Sequence, residues 1–295
     1  MAHVSPAIGV THYEFESQRQ RHVLTAIPSC SRYGGHVENE KTFSCMKAAY
    51  DAGINFFDCA EGYAGGESEK VMGEAIKRYG WKRNDYVIST KINWGAANGD
   101  NPVNNGGLSR KHLVEGTKAS LERLGLDYVD LLYAHRPDRN TPMEEVVRGF
   151  NFLIDQGKCF YWGTSEWNAD EIERAHHVAT RLNLVGPIME QPQYNMLVRE
   201  RCEKEYSLLY ENYGLGLTPF SPLKSGILTG KYNDGTQTAP MRCFLAYVER
   251  ALTTPLQVFR RTPASASTPT TTTSRACRSA SKPRTGSKRR RRSMT

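Results

Sequence analysis

"INFFDCAEGYAGGESEKVMGEAIKRYG", residues 54–80, holds one complete unit of the fold. Ile54, Phe56 and Phe57 make a short, bulky, β-rich run, and Asp58 ends it. The glycine pair at 65–66 turns the chain. From about residue 67 to 79 apolar residues recur at helical spacing, and Gly80 follows as a stop. A turn accounts for the glycines. It does not account for a carboxylate, Asp58, and a phenol, Tyr63, placed five residues apart at the end of a core strand.

The same unit recurs along the chain at a spacing of roughly 30 residues. The pattern predicts strands at Ile54–Asp58, Tyr86–Lys91, Tyr128–His135, Cys159–Thr164, Pro187–Gln191 and Leu215–Phe220. It predicts helices near 40–51, 67–79, 109–123, 143–156, 169–182 and 199–212. Ser109 caps "RKHLVEGTKASLERLG", which closes at Gly125, and Thr141-Pro142 opens "MEEVVRGFNFLIDQG", which closes at Gly157. Strand–helix alternation with short loops predicts a parallel sheet. Six regular units, with a helix before the first, suit an α/β chain folded as a (β/α)₈ TIM barrel of about 250 residues. A doubly wound sheet would carry a Gly-rich dinucleotide fingerprint after an early strand, and none is there. "GILTGK" at 226–231 is not a phosphate loop: its spacing is wrong, and Tyr232 stands where Ser or Thr is needed.

The 295 residues are enough to bury a sizeable core. No apolar run approaches the roughly 20 residues of a membrane span, and the first residues have neither a signal core nor an Arg-rich amphipathic pattern. No membrane insertion is expected, and a cytoplasmic chain is the default. Seven scattered cysteines with no CxxC pair read as reduced thiols, not as a disulfide framework or a zinc site. The net charge of +8 belongs to the tail: residues 241–295 hold 13 Lys and Arg against one acid, Glu249, and leave the rest net negative. From about 260 the tail is Ser/Thr/Pro/Arg-rich without period, so it is expected to be disordered. Its abrupt change of composition reads like out-of-frame or intronic sequence. "SKRRRR" reads as a solvated basic run, and nucleic acid is not the expected partner.

In a barrel the C-terminal ends of the strands share one mouth. The first predicted strand ends at Asp58, with Tyr63 in the loop behind it; "YVISTK" ends at Lys91 and "YVDLLYAH" at His135. A lysine at a strand end is usually just the first solvated residue, and Asp58 with Lys91 could be a structural ion pair. Four such groups on three successive strands make a chemical set. A phenol titrates near 10 and is a poor acid at neutral pH; a nearby ammonium favours its phenolate, and a carboxylate keeps that ammonium charged. Tyr63, Lys91 and Asp58 then form a general acid for a carbonyl oxygen, with His135 as a second donor that orients it. No metal set and no Ser or Cys nucleophile accompany them, so the attacking species must come from a cofactor, and nicotinamide hydride fits.

"FFDCAEGYAGGESE", "STKINWG", "LLYAHRP", "YWGTSEW", "EQPQYN" and "PFSPLKSGILTGKY" together resemble the successive signature segments of the aldo-keto reductase family, over roughly residues 33–235. "GLSRKHLVEGTKASLERLGLDYVD" and "RPDRNTPMEE" are similar to the branch that contains voltage-gated potassium channel β subunits and related fungal and plant reductases.

The resemblance implies an NADPH-dependent oxidoreductase that reduces aldehydes or ketones, with Asp58, Tyr63, Lys91 and His135 as its catalytic tetrad. Channel subunits carry Asn at the position of His135, so this histidine is similar to the catalytic members. The resemblance also gives Asp58, Ser165 and Gln191 to the nicotinamide end of the cofactor and Phe220 to stacking on its ring. Ser221, Leu223, Ser225 and Lys231 fall in the loop over the pyrophosphate, and Trp94 in a wall of the substrate pocket. The implied partners are a small-molecule carbonyl compound and either further copies of the chain or a channel α subunit; the alternative function is a channel β-type regulatory subunit that binds NADPH with little turnover.

Residues 1–32 do not match the family's opening strand and hairpin, and nothing after about 240 resembles its last strand, last helices or adenine-gripping "QxxEN" helix. The expected organisation is a divergent segment at 1–32, an incomplete barrel domain at 33–240 and a basic tail at 241–295, with little preference for NADPH over NADH.

Overall fold

The computed structural model describes residues 22–24, 39–95 and 104–233. They form seven strands and six α-helices in strict alternation. The strands are β1 (His22–Leu24), β2 (Ile54–Asp58), β3 (Val87–Ile92), β4 (Val129–Ala134), β5 (Cys159–Ser165), β6 (Met189–Gln191) and β7 (Gly216–Leu217). The helices are α1 (Asn39–Asp51), α2 (Glu67–Tyr79), α3 (Arg110–Leu124), α4 (Met143–Asp155), α5 (Ala169–Arg181) and α6 (Ser207–Tyr213). Each helix lies between two consecutive strands, and all neighbouring strands pair in parallel in the order β1 to β7.

The sheet curls. In a flat sheet β2 and β6, four strands apart, would sit about 19 Å from each other. Instead the Gln191 side-chain amide reaches 3.3 Å from the Asp58 carboxylate, across the interior. Tyr133 on β4 likewise meets Thr218, just past β7, at 2.9 Å. This is the architecture of a (β/α)₈ barrel with its helices outside and its interior filled by side chains.

Alternation along each strand sorts the core into two layers. Phe56, Leu131, Tyr133 and Met189 pack together inside the curl. Phe57, Ile88, Leu132 and Trp162 face the helices and join Met72, Leu113, Phe150 and Ile172 in the larger core. Every residue of β4 is buried, as a central parallel strand covered on both faces requires.

Helix ends follow local chemistry. The Ser109 hydroxyl accepts from His112 N, and Gly125 closes α3 in the left-handed conformation. Asn168 and Glu171 form a reciprocal capping box at the start of α5. On α2, a Cβ at Gly73 would lie 2.4 Å from the Leu124 carbonyl oxygen, so glycine lets α2 and α3 approach closely.

Within the segment 1–32 lies a strand that the sequence pattern did not predict, β1, paired in parallel with β2. Two expectations need correction. The helix expected over 199–212 is broken: a π turn at Arg201–Glu205 precedes α6. The strand expected over 215–220 is regular only at Gly216–Leu217, and Phe220 makes an isolated bridge to Gln193. The basic tail at 241–295 and most of the N-terminal segment lie outside the described residues.

Candidate active site

β2 and β3 bring Asp58 and Lys91 together at the mouth. Lys91 Nζ donates to Asp58 Oδ2 at 2.5 Å and to the Cys59 carbonyl at 2.6 Å. Neither Asp58 nor Lys91 has measurable exposure. Asp58 is further bonded by the Ser89 hydroxyl at 2.5 Å and the Gln191 amide at 3.3 Å. Burial by itself pushes the Lys91 ammonium down, but the Asp58 carboxylate and the Tyr63 phenol hold it above the usual lysine range. The lysine is therefore charged at neutral pH.

Tyr63 returns over this pair because the chain turns sharply behind β2. Its amide donates to the Ala60 carbonyl at 3.0 Å, and Ala64, Gly65 and Gly66 all take left-handed backbone conformations. At Ala64 that conformation is strained, and such strain concentrates at functional sites. The turn places the Tyr63 ring 4.7 Å from Lys91 Nζ. His135 follows β4, its amide bonded to the Ile92 carbonyl at 3.1 Å. Its ring meets Tyr63 edge-on at 5.6 Å and Trp94 edge-on at 6.0 Å. The four groups read from the strand ends thus gather at one mouth, with Trp94 beside them.

Gln191 joins the cluster through Asp58, and the Ser165 hydroxyl donates to the Gln191 carbonyl at 2.9 Å. Phe220 is half-buried, its amide bonded to the Pro192 carbonyl at 3.0 Å. Beyond it, Ser221, Lys224, Ser225 and Gly226 all have positive φ. Leu223, Ser225 and Lys231 are exposed on this turn, and none of the bonds described here ties them to the four mouth residues. A Cβ at Gly226 would lie 2.7 Å from Lys231 Nζ, so glycine leaves room for that side chain to fold over the turn.

Several groups here were not singled out by sequence reasoning. Ser89 lies two residues before Lys91 and therefore on the same strand face, a signal that alternation alone could have supplied. Arg136 bonds the Ser165 hydroxyl at 3.0 Å and the His135 carbonyl, linking the ends of β4 and β5. Together with Trp94, Arg139 and Glu166 it lines an open cavity of about 750 Å³. Glu61 and His112 form a buried pair beside the mouth at 3.1 Å. They are 51 residues apart, and nothing in the sequence pairs them.

No helix among the described residues is long and apolar enough to cross a membrane. The model of the aldo/keto reductase family matches residues 30–252. A putative voltage-gated potassium channel subunit beta of Schizosaccharomyces pombe is 61% identical over 196 residues, covering 66% of this chain and 56% of that protein. A probable voltage-gated potassium channel subunit beta of Arabidopsis thaliana is 57% identical over 203 residues, 69% of this chain and 61% of its own length. Its counterpart in Oryza sativa subsp. japonica is 53% identical over 210 residues, 71% and 63%. The chain therefore spans about three fifths of the length of these relatives. Curled parallel sheet, clustered strand-end residues and a family match over most of the sequence agree: the chain belongs to the aldo/keto reductase family.

Proposed function

We propose that the chain is a carbonyl reductase that uses NADPH to reduce aldehydes or ketones to alcohols, with Tyr63 as the general acid. The observation that carries this reading is the buried Asp58–Lys91 pair set beneath the Tyr63 ring. The residues present suit a nicotinamide cofactor. Gln191 and Ser165 offer amide and hydroxyl groups beside Asp58 for a carboxamide, and half-buried Phe220 offers a ring face. The left-handed run at Lys224, Ser225 and Gly226 is a costly backbone of the kind found at ligand clamps, and Lys231 adds a cation there.

When bound, the nicotinamide supplies the hydride. The protein's part is to place a carbonyl oxygen between Tyr63 and His135 and to protonate it. Tyr63 gives its proton to that oxygen as the carbon is reduced. The Lys91 ammonium, held charged by Asp58, then faces the phenolate left behind. His135 donates a second hydrogen bond that fixes the carbonyl's orientation, and Trp94 walls the approach.

A second reading has its own observation: the relatives described above are named as channel β subunits. On that reading the chain binds NADPH, turns over little, and associates with a channel α subunit or with further copies of itself. One assay separates the two. Aldehyde-dependent loss of NADPH absorbance supports the reductase; tight NADPH binding with no turnover of any aldehyde or ketone, together with capture by a channel cytoplasmic domain, supports the subunit.

A further inference from the structure

Trp94 is 53% exposed. Its ring has an edge contact with His135, and Gly62 leaves the space beside it: a Cβ there would lie 3.2 Å from the tryptophan's own Cβ. Side-chain packing of that extent does not fix a large ring. The backbone around it, in contrast, is tightly held. Glu61 Oε1 accepts from Asn93 N at 2.7 Å and from Gly95 N at 3.0 Å, the two amides flanking Trp94. The same oxygen meets His112 Nε2 at 3.1 Å, on the first turn of α3. The Asn93 carbonyl in turn accepts from Gly107 N at 2.8 Å.

The carboxylate that makes these bonds is fully buried, as is His112. Space for it is reserved: a Cβ at Gly116 would lie 3.1 Å from Glu61 Oε2 and 3.2 Å from the His112 ring. Burial alone would push the Glu61 carboxyl up, but His112 and the two amides hold it below the usual range, so it is ionised. A buried anion with several donors converging on one oxygen is a strong and directional anchor. The bonds of this carboxylate named above run to the Trp94 segment and to α3, while the Glu61 backbone amide donates to the Lys91 carbonyl at 3.2 Å.

We propose that Glu61 is a positioning residue for substrate selection: by gripping the amides on both sides of Trp94 it sets where that ring stands over the carbonyl pocket, and so which carbonyl compounds fit. This rests on the reductase reading for its link to substrate, but not for its link to Trp94.

The test has two arms. The full chain, labelled with 5-fluorotryptophan, gives four fluorine resonances, one for each tryptophan, and Trp94→Phe assigns one of them. In Glu61→Ala the Trp94 resonance moves or broadens while those of buried Trp162 and Trp167 stay. If Glu61→Ala fails to fold, Glu61→Gln, of nearly equal volume, gives a smaller displacement of the same line. In the kinetic arm, Glu61→Ala raises KM for a bicyclic aromatic aldehyde by roughly tenfold or more, with a much smaller change in kcat and in KM for propanal. Trp94→Ala gives a similar rise, and the double variant gives no further one. A wild-type Trp94 resonance in the variants, or KM effects that simply multiply, overturns the proposal. Absence of any aldehyde turnover by the wild-type chain overturns the reductase reading instead, and the fluorine spectrum still decides the role of Glu61.

Discussion

Lys91 Nζ stands 2.5 Å from Asp58 Oδ2 with both side chains sealed from solvent. The pair therefore carries a large desolvation cost that is offset only while both partners are present. Lys91→Met leaves Asp58 as a buried charge facing Ser89 and Gln191, and should destabilise the fold by about 3–5 kcal/mol. Adding Asp58→Asn to that variant should recover much of the loss. Urea unfolding of the wild type, the single and the double variant checks this. A single variant as stable as the wild type would show that the pair is not closed off from water.

Tyr63→Phe keeps the ring over Lys91 and removes only the acidic hydrogen. Loss of a general acid lowers the rate by about 10²–10⁴. The expected result is that much loss in kcat with an aromatic aldehyde and little change in NADPH affinity. A variant that reduces aldehydes at the wild-type rate would remove Tyr63 from the chemistry.

Glu190 on β6 sits outside the curl, with no measurable exposure, bonded to the Thr164 hydroxyl at 2.5 Å. Its Oε1 has no hydrogen-bond partner among the described residues. Burial pushes its carboxyl up to about 8; the Thr164 hydroxyl, the Glu166 backbone and Arg201 oppose the rise, and the Glu166 carboxylate reinforces it. The folded chain thus binds this proton more tightly than the unfolded chain, whose value lies near the ordinary 4.5. The stabilisation is complete below about pH 4.5 and is lost as pH rises through about 8. At one pKa unit per 1.36 kcal/mol the full effect is up to ~5 kcal/mol. Glu190→Gln should therefore gain stability relative to the wild type between pH 5 and 8. Parallel stability curves would mean that Glu190 is ionised in the fold.

Where the sequence carried a local physical signal, the fold was legible. Asp58 ends β2 where the chain emerges at the mouth, and the predicted strand matches at both ends. Ser109 and Gly125 mark the ends of α3 by capping chemistry that acts over a few residues. β6 and β7 are shorter than the predicted runs. Pro187 and Pro219 have no amide to donate, so regular pairing is kept to Met189–Gln191 and Gly216–Leu217. The Ile188 and Thr218 amides add single bonds to the Trp162 and Glu190 carbonyls. The π turn at 201–205 left no trace in the spacing; it adjoins Tyr206, a fully buried ring whose hydroxyl bonds the Trp167 carbonyl. β1, three residues long, is too short for periodicity to register. In the candidate site the strand-end residues were legible because parallel topology sends them all to one mouth. Glu61–His112 and Arg136–Ser165 were not, because only the tertiary fold brings such distant positions together.

Lys231 gives the last test, because it lies on the strained turn rather than among the mouth residues. Gly226, at φ +89°, vacates the space that the lysine's terminal atoms occupy. If this turn covers a cofactor pyrophosphate, Lys231 contributes one charge-assisted contact of about 1.5–3 kcal/mol. Lys231→Ala should then weaken binding by roughly 10- to 150-fold. The pyrophosphate is common to NADPH and NADH, so both affinities should fall by the same factor in a cofactor-fluorescence titration. A fall for NADPH alone would place the lysine at the 2′-phosphate instead. Gly226→Ala, which both strains the backbone and displaces the lysine, should weaken both cofactors at least as much as Lys231→Ala. Unchanged affinities in both variants would remove this turn from the binding site.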